Sequence, residues 1–560
     1  MTPGSAVRLV GGRLVGLLPQ RADWVAARRD PRGDLVAGLT VAVVALPLAL
    51  AFGVTSGLGA QAGLVTAVVA GAVAAVFGGS NLQVSGPTGA MTVVLVPVVQ
   101  RFGATGVLMV GAMAGVVLVA LAAARLGRYV RYLPTPVIEG FTAGIAVVIA
   151  LQQLPAALGV AGAHGEKVWA VAADAVARFA AHPHPAPVAV ALAVAASMLL
   201  GARWRPGWPF SLVAVAAGTV LAETTPLDLA RIGALPTALP APSLDFLDGH
   251  AVGQLLPSAL AVAALAALES LLSATVADAM SVDSRHDPDR ELFGQGLANL
   301  AAPLFGGIPA TAAIARTAVN VRAGAGSKLA ALTHAAALAV IVLAASPLVG
   351  RIPLAALAGV LLATTVRMVQ AGSLWALARA TRRDALVLIL TFTVTVVFDL
   401  VTAVAVGIGV AVVLALRAVA RTARVEQVPL EPGDHSAAEH ALLAEHIVAY
   451  RLDGPLFFAA AHRLLIELSE VADVRVVILR MSRVSTIDAT GAQVLGDAIA
   501  RLHRRGITVL LSGVAPGHDQ VLAALGIAER LRRDGLVFPD TPAAIAYARR
   551  HLGCVPAAAG

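Results

Sequence analysis

Charged and aromatic residues are scarce in this chain, and cysteine is almost missing. Only 13% of the 560 residues are charged, 4% are aromatic, and Cys554 is the sole cysteine. A single thiol excludes an internal disulfide, and its place near a small-residue tail argues against a catalytic or metal role. The low charge content excludes an ordinary soluble protein, which carries about a quarter charged residues. No phosphate-cradling Walker motif occurs, which removes support for transport driven directly by ATP within this chain. We expect no enzyme, and neither a cofactor nor a bound metal. In Met1 to Leu18, Arg8, Gly11, Gly12 and Arg13 interrupt the apolar residues, so a cleavable signal peptide is not expected.

What fills the chain instead is apolar: 58% of residues are hydrophobic and long apolar runs recur. That composition belongs to a polytopic membrane protein. The net charge of +8 could suggest nucleic acid, but the basic residues lie in short loops between apolar runs, so no nucleic-acid partner is expected. Fourteen segments are expected, near 34–52, 62–77, 85–100, 103–124, 137–158, 186–201, 209–222, 252–273, 291–305, 309–320, 328–349, 353–370, 384–398 and 399–418. With the N-terminus inside, the external side receives only Arg101, Lys167, Arg178, Arg231 and Arg351, while the basic residues of the other loops and of both ends are cytoplasmic. That bias is what the positive-inside rule demands, and it places both ends of the membrane part in the cytoplasm. Seven spans in each half make the halves inverted relative to each other. Glu223 to His250, rich in proline and acidic residues, reads as an external excursion.

The domain organisation expected is a cytoplasmic segment, 1–33, a transport domain, 34–420, a linker, 421–446, and a small soluble α/β domain, 447–555. In the last, Ile447 onward is strand-like, Val474 to Met481 is a buried strand, Ala492 to Arg504 is amphipathic and Ile507 to Val514 is another strand.

Two stretches stand out within the membrane part. Gln83 to Gln100 reads QVSGPTGAMTVVLVPVVQ, an extended start, then a Gly-Pro helix opening, then an apolar run too short for a bilayer core of about 30 Å. Gly306 to Asn320 reads GGIPATAAIARTAVN, the same order of features, with Pro309 222 residues after Pro87. The same offset carries the first apolar segment onto a second, Pro257 to Ala274. Interrupted segments at corresponding places in two halves point to a transporter's binding site. A half-helix that begins at mid-depth offers about half a positive charge and unpaired N–H donors, which suits an anion. The plainer alternative for either stretch alone is a membrane helix with a Gly-Pro kink.

Arg316 lies inside the tenth segment, about two turns beyond Pro309, and supplies a fixed cation at membrane depth; the alternative is a residue that snorkels to the cytoplasmic edge. Glu269 is the one charged residue between Gly253 and Thr275. As an isolated carboxylate it could bind and release protons during transport, with Ser273 one turn on; the alternative is a structural carboxylate held by hydroxyls or by Arg316. Glu139 and Asp399 read as capping or loop residues, and His164, His182 and His184 as members of a solvated loop. Ile487 to Gly491 follows the central strand of the soluble part and opens a helix. Thr490 there could accept a phosphate, although a capped strand-to-helix turn is the better account of it.

Together these stretches resemble the sulfate permease (SulP) family of anion transporters. The residues that carry the resemblance are DLVAGLTVAVVALPLALAFG, QVSGPTGAMTVV, IEGFTAGIAVVIALQQL, ELFGQGLANLAAPLFGGIPATAAIARTAVN and the terminal STIDATG at Ser485 to Gly491. They match in order over about residues 30–550. The terminal domain looks like STAS, the fold shared with anti-sigma-factor antagonists, in which a serine is phosphorylated where this chain has Thr490. The resemblance implies two inverted seven-span repeats, a core domain that moves against a gate domain, and a homodimer in the cell membrane. It also implies an anion between the third and tenth segments, where backbone donors at Thr88, Gly89 and Ala90 face those at Thr311, Ala312 and Ala313, with Arg316 beside them. Animal relatives have Ser-Arg-Ser where this chain has Ala315-Arg316-Thr317. Sodium-coupled bicarbonate relatives lack the arginine, so protons handled by Glu269 are the expected coupling ion. The expected function is proton-coupled transport of a small anion: sulfate first, then bicarbonate, chloride or a dicarboxylate. The alternatives are a membrane-anchored signalling scaffold acting through the STAS-like domain, and a nucleobase transporter on the same fold.

Overall fold

Asp30 and Pro31 open the first membrane helix. The Asp30 carboxylate accepts from the Gly33 amide, and proline takes a position whose N–H has no helical partner anyway. The same device, a side-chain cap, starts several later helices: Asp287 before Pro288, Ser327 before Lys328 and Thr381 before Arg382. The computed structural model describes residues 16–552 except 133, 166, 206–207, 236–237, 282–284, 399, 421–423, 429–445 and 457–473. Asp399 and Cys554 lie outside the described residues.

The first half contains α1 (Pro31–Thr55), α2 (Ala60–Phe77), the two-residue strand β1 (Ser85–Gly86), α3 (Gly89–Ala123), α4 (Thr135–Leu158), α5 (Val168–Ala181), α6 (Pro185–Trp204) and α7 (Phe210–Thr224). Helix α3 is two helices joined across a kink at Gly103, whose φ of 66° and ψ of −163° end the first of them. The second half contains α8 (Val252–Met280), α9 (Pro288–Leu304), β2 (Thr311–Ala312), α10 (Ile314–Arg322), α11 (Lys328–Gly350), α12 (Leu354–Met368), α13 (Ala371–Ala380), α14 (Arg382–Val397) and α15 (Leu400–Ala420). With α3 divided at Gly103, helices fall on all fourteen expected segments; α5 and α13 are short additions between them. Eight helices among the described residues are long and apolar enough to cross a membrane.

Two packing groups emerge within this part. Helix α9 packs on α2 and α3, α3 on α8, and α11 on α1 and α2; separately, α12 packs on α4 and α6, and α14 on α4. Apolar side chains such as Leu200, Val340, Leu343 and Leu348 are exposed, as expected of a surface solvated by lipid. Trp204, Trp208 and Trp375 are also exposed, with Arg205 lying over the first two rings and Arg379 over the third. Such pairs mark the membrane–water interface. Before the first helix, Asp23 makes a bidentate pair with Arg290, at 2.6 and 3.1 Å. Those charge-assisted hydrogen bonds hold the Asp23 carboxyl below the usual carboxylate range.

By packing, the chain divides into two compact units, Met1–Ile408 and Gly409–Gly560. The second carries a five-stranded sheet in the order β3 (Arg424–Val428), β4 (Ile447–Leu456), β5 (Val476–Ile487), β6 (Thr508–Ser512) and β7 (Val537–Phe538). β4 to β7 are parallel and β3 pairs antiparallel to β4. Helices α16 (Ala489–Arg504), α17 (Pro516–Ala524), α18 (Ile527–Arg533) and α19 (Thr541–His551) complete the fold. The expected linker therefore needs correction at its start, because residues 424–428 are an edge strand; charged residues in an edge strand read as linker in sequence. Thr490 is exposed at the start of α16, where the Asp488 carboxylate caps the helix through the Gly491 amide at 2.7 Å.

Candidate anion site

Thr88 and Ala313 have extended backbones, and the helices that follow them, α3 and α10, have no side-chain N-cap. The extended residues just before them form the β1–β2 crossing: Ser85 pairs with Ala312 and Gly86 with Thr311, antiparallel. One strand comes from each half of the membrane part. The two half-helices thus open from opposite ends of one short ribbon, with first-turn amides that have no intrahelical partner.

This ribbon is held by side chains from α8 and α9. Asn299 clamps Ala310, donating from Nδ2 to its carbonyl and accepting from its amide, both at 2.8 Å. Ser270 Oγ and Thr311 Oγ1 are hydrogen-bonded at 2.9 Å, and the Ala312 amide donates to Ser270 at 3.3 Å. Ser273 donates to Thr317 Oγ1 at 2.9 Å. The Ala313 amide donates to the Val84 carbonyl at 3.4 Å.

These bonds correct the sequence reading in two respects. The tenth half-helix starts at Ile314, not Pro309, because residues 310–312 are fixed as clamp and strand. Arg316 therefore lies in the first turn of α10 rather than two turns in. The amides of Ala312 and Ala313 are committed to protein acceptors, and Thr311 belongs to the ribbon. The uncommitted first-turn amides of this half-helix are those of Ile314, Ala315 and Arg316. On the other side, Thr88, Gly89 and Ala90 stand at the opening of α3, as placed from sequence.

Arg316 is 2% exposed. Its Nη2 donates weakly to the Thr311 carbonyl at 3.4 Å, while Nε and Nη1 have no hydrogen-bond partner among the described residues. The guanidinium lies against Gly86: a methyl group there would stand 2.6 Å from Nη1. Glu269, half-buried on α8, accepts from Thr88 Oγ1 at 3.0 Å and is near enough to act on Arg316 electrostatically. A carboxylate and a guanidinium with open donors thus meet at two helix N-termini. An oxyanion would satisfy donors that are otherwise buried and unpaired. Gly86 also has a φ of 156°, so we predict that Gly86→Ala strains the ribbon as well as pushing the guanidinium aside, weakening anion binding about threefold or more, roughly 0.7 kcal/mol. Equilibrium binding of a labelled anion checks this; unchanged affinity would detach Gly86 from the site.

The other sequence candidates lie elsewhere. Glu139 Oε1 accepts from Ser373 at 3.0 Å, and His164 meets Arg178 at 2.8 Å in an exposed loop. Several buried polar residues escaped sequence reasoning. Glu291, Gln295 and Asn299 form a stripe on α9: Glu291 accepts from the Gly79 and Ser80 amides, Gln295 donates to Ser85 at 2.5 Å, and Asn299 holds Ala310. Their four-residue spacing in ELFGQGLAN was the available signal. Lys328 donates to the Gly78 carbonyl at 2.7 Å, and Asp34 accepts from the amides of Gly326 and Ser327, so each half grips a loop of the other.

A model of the Sulfate permease family matches residues 32–391, and one of the STAS domain matches residues 441–544. The chain belongs to the sulfate permease family of anion transporters. YvdB of Bacillus subtilis, which carries the provisional name sulfate transporter, is 34% identical over 89% of this chain and 94% of its own length. The bicarbonate transporter BicA of Picosynechococcus sp. is 32% identical over 90% of this chain and 93% of its own. Among solved structures, the transmembrane domain of a cyanobacterial BicA is 35% identical and superimposes with a TM-score of 0.63, covering 67% of this chain and 98% of that one. Murine Solute Carrier 26 family member A9, 17% identical with a TM-score of 0.81 over 96% of this chain and 94% of that one, shares the fold.

Proposed function

We propose that this sulfate permease family member is a proton-coupled secondary transporter. Its anion binds between the first turns of α3 and α10, beside Arg316. The observation that carries this reading is the buried guanidinium with two nitrogens unpaired. Glu269 compensates the buried cation electrostatically but leaves its donors unpaired, and an anion ligand would satisfy them. An uncharged nucleobase would gain little from the fixed cation. Glu269, hydrogen-bonded to Thr88 at the mouth of α3, is the proton carrier. The protein acts in the cell membrane with both termini cytoplasmic, and as a homodimer. Sulfate is the first candidate; hydrogen carbonate is the second, favoured by the likeness to two BicA proteins. Uptake of labelled sulfate, hydrogen carbonate, chloride and a dicarboxylate into proteoliposomes tests the reading, under imposed proton or sodium gradients. Accumulation of one of them driven by protons supports it. Accumulation driven by sodium alone, or of none of them, contradicts it.

The STAS domain tunes assembly or turnover and holds no part of the permeation path. Removing everything from Arg424 onward is expected to leave measurable uptake. A folded, inserted truncation with neither binding nor uptake would instead favour the scaffold alternative, in which this domain is the output.

A further inference from the structure

His334 of α11 is wholly buried, and neither of its ring nitrogens has a hydrogen-bond partner among the described residues. A neutral imidazole offers one donor and one acceptor, and leaving such groups dry and unpaired costs about 1–3 kcal/mol each. Its position is set by its neighbours on the helix. Ala331, one turn earlier, packs with Val41, Ala75 and Val84. A methyl group on Gly71 would touch both Ala335 Cβ, at 3.8 Å, and the Ser85 carbonyl oxygen, at 3.3 Å. The imidazole therefore lies at the level of Val84 and Ser85, the strand that leads into α3. Other buried polar atoms border the same strand without a partner: Gln83 Oε1, Asn320 Oδ1, and Arg316 Nε and Nη1. Asn320 also donates to the Leu82 carbonyl at 2.8 Å, and Arg316 lies on Gly86. A polar seam thus runs along residues 82–86 behind the anion site.

The charges around His334 are few. Helix α1 is charged only in its first turn, at Arg32 and Asp34, and Asp34 is committed to Gly326 and Ser327. Helix α2 carries no charge. On α11 itself, Lys328 lies six residues earlier, about 9 Å along the axis, and is bound to the carbonyls of Val76 and Gly78. On α10, Arg322 Nε is bound to the Ala318 carbonyl, which leaves Arg316 as the charge that acts on the imidazole.

We propose that His334 is a second proton-binding residue of the transport cycle, which takes up a proton as an anion settles on Arg316. Burial is the larger obstacle to a proton on the imidazole, and the field of the bare guanidinium adds to it. A bound monoanion cancels that field and a dianion reverses it. Anion and proton binding then strengthen each other by one common factor. The proton comes from solvent and resides on a ring nitrogen, with no other bond made or broken. The proposal rests on the anion site at Arg316 and adds to the role of Glu269.

The test uses the purified full chain with sulfate and iodide as probes across about pH 4 to 8, where neither anion changes charge. The window extends below the ordinary histidine range because burial and Arg316 both oppose the charged imidazole. The background is Glu269→Gln, which removes the carboxylate's own titration. In that background the affinity for sulfate is expected to fall at least about fivefold as pH rises, and that for iodide less steeply. Adding His334→Gln, or His334→Asn as the second variant, is expected to flatten both profiles. Proton uptake from weak buffer on adding sulfate should disappear with them. A flat profile in Glu269→Gln alone overturns the proposal, as does an unchanged slope in either double variant. Failure of the wild type to bind either anion overturns the anion-site reading itself, whereas a loss of the histidine component alone leaves that reading standing.

Discussion

Arg316→Ala is expected to weaken anion binding at least about tenfold, about 1.4 kcal/mol, while the protein still folds and inserts. The guanidinium has two buried nitrogens without a partner among the described residues, and the bond of its third nitrogen, to the Thr311 carbonyl, is long. In the empty protein the substitution trades a buried guanidinium with unpaired donors for a Glu269 carboxylate without its cation, so folding and insertion are measured beside binding, and the loss of affinity is read on the inserted protein. Arg316→Lys should restore part of the affinity, because an ammonium replaces the charge but not the planar fork of donors. Binding of labelled sulfate or hydrogen carbonate to wild type and both variants checks this. Equal affinity in Arg316→Ala would remove Arg316 from the site.

Glu269→Gln is expected to keep anion binding and to abolish accumulation driven by a proton gradient, leaving exchange or downhill flux. Glutamine imitates the protonated carboxyl, so it keeps a partner for Thr88 and removes the negative charge near the anion. On the proposed coupling, a proton on Glu269 would offset the charge of the anion as the loaded site moves, and the empty site would return once that proton leaves. The measurement is uptake under an inward proton gradient, with and without a protonophore, in both proteins. Accumulation by Glu269→Gln against the substrate gradient would make Glu269 structural.

The apolar runs and the arginine bias of the loops carried the span count, since both follow from the bilayer's thickness and charge asymmetry. The broken third segment was legible because Gly86, Pro87 and Gly89 are local signals. The start of the tenth was not. Gly89 and Ile314, the true helix starts, are 225 residues apart, against 222 for the prolines. Pro309 precedes a stretch that Asn299, Ser270 and β1 hold extended, and those are tertiary partners that no local motif announces. The same limit hid His334 and Lys328, whose helix reads as an ordinary apolar span. Arg316 and Glu269 could be singled out because one charge in a long apolar run is conspicuous wherever it lies. Which amides remain free to bind an anion required the hydrogen bonds themselves.

The most direct test of the central claim is a crystallographic one, with selenate or bromide soaked into the protein and located by anomalous scattering. The account predicts a peak within about 4 Å of the Arg316 guanidinium or the first-turn amides of α3 and α10, a hydrogen-bond length plus the offset of the scatterer from the acceptor atom, and its loss in Arg316→Ala. A peak bound elsewhere in a protein that transports the same anion, with nothing beside Arg316, would contradict it.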